Sequence, residues 1–194
     1  MDKNDKFNER LNAILPKITS DGFLEKKGLG NEIPFYIFDY PPEYELQMRN
    51  RLDILTEWIG KHNPNIRTIH IELFSVMVKY LEGRNLLEKA YEMETNKGSE
   101  SLWKALSASV KPEYFVKTVL AHQFDLSQCD LILMSGVGNV YPWIRAHSLL
   151  NNLQQVTGNT PLVLFYPGEY DGQALRLFGK LGGNNCYRAF RLIT

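Results

Sequence analysis

The apolar positions of this chain change period several times, and each change marks an element. Phe7, Leu11, Ile14 and Leu15 recur at helical spacing and predict a short helix over residues 3–15. Ser20-Asp21-Gly22 and Gly28-Leu29-Gly30-Asn31 interrupt that pattern, so residues 19–33 read as a loop. Pro34 to Phe38 is a short, aromatic-rich apolar run of the kind a buried strand needs, and it ends at Asp39-Tyr40-Pro41-Pro42. A helix opens at Pro42 or Glu43. There a proline without its N–H is tolerated and a carboxylate suits the positive end of the helix dipole. Its stripe is Met48, Leu52, Leu55 and Ile59, and Gly60 and Asn63-Pro64-Asn65 stop it.

The pattern then repeats. Residues 67–72 read as a second strand, and Leu73, Val76, Met77, Tyr80 and Leu81 return to helical spacing. Residues 85–95, 99–109 and 112–124 predict three more helices, the last opened by Pro112. Asp130 to Gly136 is the third strand, Pro142 to Val156 a helix, Pro161 to Tyr166 the fourth strand, Gly172 to Leu181 a helix and Cys186 to Ile193 the last strand. Apolar strands alternating with helices predict an α/β fold: three layers, a mainly parallel five-stranded sheet with helices on both faces, and an all-helical insertion or cap over residues 73–125. Residues 1–194 read as a single domain, with 1–33 an N-terminal helix and loop.

Composition narrows the class. The 44% hydrophobic and 23% charged fractions are those of an ordinary globular domain, and no apolar run is long enough to cross a membrane. Net charge is zero, which argues against direct DNA binding, since that affinity rests on neutralised phosphates. The mild local excess of Arg145, Arg176, Lys180, Arg188 and Arg191 over Glu169 and Asp171 is the one basic bias. The start MDKNDKFNER is no secretory leader, and Cys129 and Cys186 lack metal-site spacing, so the expectation is a reduced cytoplasm.

In open α/β sheets ligands bind outside the carboxyl ends of the strands. Those ends here are Asp39-Tyr40-Pro41-Pro42, Gly136-Val137-Gly138-Asn139-Val140-Tyr141-Pro142 and Pro167-Gly168-Glu169-Tyr170. The first is placed as a phosphate loop would be, but it has no Walker A glycines or lysine, so at most a degenerate P-loop-like fold fits. Gly136-Val137-Gly138 is a weak dinucleotide fingerprint and a better turn, where glycine permits positive φ. Arg145 and His147 stand near a helix N-terminus. Arg145 suits an anion or a structural pairing with Glu169 or Asp39, and His147 suits a hydrogen-bonded structural role. His62, His70, His122 and His147 show no zinc spacing, and Ser135-Gly136 lacks a nucleophile elbow, so no cofactor, metal or catalytic set is expected.

The stretch from Gly136 to His147, with Leu149-Leu150-Asn151-Asn152-Leu153 after it, resembles the BrxB family of bacteriophage-exclusion (BREX) systems. So do Pro161 to Tyr170, Leu177-Phe178-Gly179, Tyr187 to Leu192, and Tyr36 to Tyr40 upstream. The likeness runs from about residue 34 to the end. It implies a non-catalytic subunit encoded beside a methyltransferase, a large ATPase and PglZ, an alkaline-phosphatase-superfamily protein. It further implies that the subunit binds PglZ and helps assemble machinery that blocks phage and methylates host adenines. It supplies no catalytic residues. The contact residues suggested by position and type are Asp39, Tyr40, Tyr141, Trp143, Arg145, His147, Glu169, Tyr170 and Arg188, since Tyr, Trp and Arg dominate interfaces. A degenerate nucleotide or nucleic-acid binder, and a hydrolase built on Asp39, Glu169 and His147, are the competing readings.

Overall fold

The structure is a computed structural model that describes residues 2–25, 33–182 and 189–193. The chain divides into two compact units, residues 1–71, 127–135 and 159–194 forming one and residues 72–126 and 136–158 the other.

The first unit holds the sheet. Its strands are β1 (Phe35–Tyr40), β2 (Thr68–Glu72), β3 (Leu131–Ser135), β4 (Leu162–Tyr170) and β7 (Phe190–Arg191), in the order β2-β3-β4-β1-β7. β1 runs parallel to β4, from Phe35 opposite Leu162 to Tyr40 opposite Pro167, and parallel to β7 through Tyr36 and Ile37. β3 also runs parallel to β4. Every residue of β1 and of β3 is buried, which is why these segments read as continuous apolar runs and not as alternating ones.

Helices α1 (Lys3–Ile18), α2 (Asp21–Leu24) and α3 (Glu45–His62) cover this sheet through the stripes their spacing implies. Phe7, Leu11, Ile14 and Ile18 of α1, Phe23 of α2, and Met48, Leu52, Leu55 and Ile59 of α3 pack in one cluster with Tyr36, Phe38, Tyr40, Leu133, Val163 and Phe165. The Phe7 and Tyr44 rings stack at 4.3 Å. Burying each such side chain contributes roughly 1.5–3 kcal/mol. Truncating a fully buried one such as Phe38 would cost about 3–5 kcal/mol through the cavity left behind.

The second unit is helical: α4 (Leu73–Gly83), α5 (Leu87–Lys97), α6 (Ser99–Ser109), α7 (Pro112–Tyr114), a π-helical stretch Phe115–Leu120, α8 (Ala121–Gln123) and α9 (Ala146–Thr157). All of the chain between β2 and α8 is thus the expected helical insertion. The Glu72 carboxylate opens α4 by accepting from the backbone N–H of Phe74 and Ser75, two of the donors a helix start leaves free. α5 packs on α6, and α9 packs on α7 and the π-helical stretch.

Four local expectations change. The loop expected over residues 19–33 contains the short helix α2, whose Phe23 is buried; residues 26–32 lie outside the described residues. The helix expected from Pro142 begins at Ala146. Pro142 has no N–H, the turn before the helix is closed by Ile144 N–H donating to Val140 C=O, and Arg145 is extended at the cap.

β4 does not end at Tyr166, and Pro167-Gly168-Glu169-Tyr170 is its continuation instead of a turn. Gly168 permits this, because a Cβ there would sit 2.2 Å from the Arg176 carbonyl oxygen. Consequently residues 172–181 form no helix. They form β5 (Leu175–Leu177), antiparallel to the end of β4, and β6 (Leu181–Gly182), antiparallel to β5. Leu175 and Leu177 are buried and Arg176 exposed, a strand's period of two that a short window also fits to a helix. The Asp171 carboxylate, accepting from Gln173 and Ala174 N–H, sets the reversal between β4 and β5. Of the last expected strand, β7 is described and residues 183–188 are not.

Candidate functional site at the strand ends

An aspartate inside an apolar strand must have its charge met. Asp39 lies in β1 and is buried. Its Oδ1 accepts from Arg10 Nη2 at 2.7 Å and from Arg191 Nη1 at 3.0 Å. Its Oδ2 accepts from the Tyr170 backbone N–H at 3.0 Å and from Arg191 Nη1 at 3.1 Å. Arg191 Nη2 also donates to the Tyr170 carbonyl. The Arg10 guanidinium lies 4.9 Å over the Phe38 ring, and that of Arg191 is 5.9 Å from the Tyr170 ring. The Tyr170 hydroxyl points at the Ala189 and Gly172 carbonyls, at 2.6 Å and 3.0 Å. Burial raises its pKa, Arg191 opposes that, and Asp171 adds to it.

Beside this knot Tyr40, also buried, donates to Glu45 Oε2 at 2.6 Å, and Glu45 Oε1 accepts from Arg49 Nε at 2.9 Å. Burial, and then the Glu45 carboxylate, push the Tyr40 hydroxyl far above the ordinary phenol range. It serves as a hydrogen-bond donor at every physiological pH.

Asp39, Tyr40 and Tyr170 are thus brought together at one end of the sheet of the first unit. Glu169 stands in the same strand end, exposed and in register with Arg176. Tyr141, Trp143, Arg145 and His147 belong to the second unit, in one continuous segment. Trp143, half-buried, donates its indole N–H to the Trp103 carbonyl at 3.2 Å. Arg145 is exposed at the cap of α9. His147 is half-buried, and its Nε2 lies 2.9 Å from Ser148 Oγ. Arg188 lies outside the described residues. Gly136 has φ 79°, as a turn glycine should, and a Cβ there would sit 1.9 Å from Glu72 Oε1.

Sequence reasoning missed Arg10, and it counted Arg191 only as part of a charge bias. The available signal was Asp39 itself: a carboxylate amid Phe35, Tyr36, Ile37 and Phe38 requires a cation, though nothing local says which. Chemically the knot holds a carboxylate whose two oxygens each take two donors, supplied by three nitrogens because Arg191 Nη1 is shared. Among the described residues no group of His, Cys, Asp and Glu could hold a metal ion, and no helix is long and apolar enough to cross a membrane.

The family model for BREX protein BrxB matches residues 69–192, which span the helical insertion, β3, the turn before α9 and the β4–β7 strand ends. The chain belongs to the BrxB family. It is 43% identical over 189 residues to a BREX protein BrxB of Bacillus cereus (strain H3081.97), covering 97% of this chain and 98% of that one. It is 38% identical over 184 residues to a BREX protein BrxB of Escherichia coli O9:H4 (strain HS), covering 95% and 90%. No solved structure matches it. Membership places the chain among the proteins of BREX phage-defence systems.

Proposed function

We propose that the chain is a non-catalytic subunit of a phage-defence assembly, that it binds a PglZ-like alkaline-phosphatase-superfamily protein, and that it helps hold that protein with the methyltransferase and large ATPase of its system. The observation that carries the reading is similarity over nearly the whole length to proteins named BREX protein BrxB. The state of Asp39 supports a recognition role. The most reactive-looking group at the strand ends is buried and bonded to two guanidiniums and a backbone N–H, an arrangement that ties it to its own chain.

Recognition would fall to the exposed and half-exposed aromatic and basic residues. In the second unit these include Tyr141, Trp143 and Arg145, with Trp103 bonded to Trp143. They are residue types whose rigid rings and fork-shaped cation give large contact energy for little lost entropy. Co-expression with the PglZ-like protein of the same system, followed by affinity capture of either partner, tests the reading. The two should co-purify, and Arg145→Ala with Trp103→Ala should weaken capture while the chain stays folded. Failure to associate at micromolar concentration and moderate salt would remove it.

A further inference from the structure

The charge at Asp39 does not balance. Two guanidiniums converge on one carboxylate, and among the described residues Asp39 is the only carboxylate either of them touches. The neighbouring Glu45 is already paired with Arg49. Counted by direct contact among the described residues, one positive charge is left over between the Phe38 and Tyr170 rings, with the Asp171 carboxylate near enough to act on the Tyr170 hydroxyl but touching neither guanidinium. An uncompensated charge in partly desolvated surroundings is costly, and a second anion would offset that cost.

The geometry is ready for one. Arg10 Nη2 and Arg191 Nη1 share Oδ1, so they lie at most about 6 Å apart, the total of the two bond lengths. The Arg10 and Arg191 side chains are still 25% and 33% exposed. Of its five N–H donors Arg10 spends one on Asp39, and its guanidinium lies over the Phe38 ring. The position is the carboxyl end of β1, where open α/β sheets take ligands.

We propose that Arg10 and Arg191 form an oxyanion socket, preorganised by Asp39, that accepts a carboxylate of a protein partner. The surplus of a single positive charge favours a carboxylate over a phosphate dianion, because one negative charge neutralises the contacting groups and two would turn their net charge negative. Asp39 is then a positioning residue: it holds the two forks side by side and is not itself exposed to the partner. The socket rests on the reading of the chain as a protein-binding subunit, but it is tested without the native partner.

The test is a titration of the isotope-labelled full chain, at low ionic strength, with an acetylated oligoglutamate peptide and separately with inorganic phosphate, read at the arginine Nε–Hε resonances. Arg10 and Arg191 should shift together and saturably with the peptide. Arg10→Gln, which leaves Asp39 paired to Arg191, should weaken that binding about tenfold or more, and Arg10→Lys should recover part of it. The inference is overturned if neither resonance moves, if only other arginines respond, if folded Arg10→Gln binds as the parent does, or if phosphate binds these two arginines more tightly than the peptide. Failure to capture the PglZ-like protein while Arg10 and Arg191 respond to the peptide would remove the proposed partner and leave the socket standing.

Discussion

Arg191 and Asp39 are 152 positions apart in sequence and 3.0 Å apart in space. With Arg10 reaching the same oxygen from α1, this contact ties the first helix, the first strand and the last strand to one buried carboxylate. Replacing Asp39 by Ala should therefore strand two guanidiniums and the Tyr170 N–H. The expected loss is about 3–5 kcal/mol, as for breaking a buried charge pair from one side. Denaturant unfolding of Asp39→Ala checks it, and a change below about 1 kcal/mol would mean the knot is not structural.

Gly136→Ala should cost about 1–3 kcal/mol from the left-handed backbone alone, with more from the clash at Glu72. The two sources separate in a double-mutant cycle. Glu72→Ala removes the clashing carboxylate and also the cap of α4, so the pair should be less destabilised than the two single costs added, by about 0.5–3 kcal/mol. Strict additivity would place the whole cost in the backbone.

Much of this fold could be read from period alone, because α1, α3 and α4 each bury one unbroken stripe and β1, β3 and β4 are short apolar runs. The errors fell where a signal was local and the cause distant. Residues 172–181 carry too few turns to distinguish a strand's period from a helix's, and their state is decided by pairing with the tail of β4. Pro142 has the chemistry of a first-turn residue, but the helix waits until Ala146, after the turn that buries Val140 and Ile144. At the candidate site, Asp39 and Tyr170 were legible as strand-end polar groups. Arg10 was not, because its role depends on where α1 packs, which no local pattern encodes.

Acid should act through Asp130. Hydrogen bonds from the Arg67 guanidinium and backbone N–H, and then its charge, hold the Asp130 carboxyl below its ordinary value. A carboxylate depressed in the folded state contributes stability above its unfolded pKa and loses it as pH falls through the folded pKa. Because the pair is largely exposed, the contribution is small and screened by salt. A carbonyl-carbon NMR titration should place the Asp130 midpoint below that of a free aspartate, and Asp130→Asn should flatten the acid limb of the stability curve. An unshifted midpoint contradicts the assignment.

Alkaline titration reads the opposite end of the scale. Tyr40 and Tyr170 are both raised by burial, so their phenolate absorbance should appear at higher pH than that of a free tyrosine. Tyr40→Phe removes the donor to Glu45 and should cost about 1–3 kcal/mol, since the acceptor is charged.

The central claim is that this BrxB-family chain recognises a partner protein. Calorimetric titration of the purified chain into the PglZ-like protein of its own system tests that most directly. Saturable binding at micromolar affinity or better is expected, weakened by salt and by Arg10→Gln, with the chain bound and not turning over any substrate. No heat at micromolar concentrations of both folded proteins would contradict it.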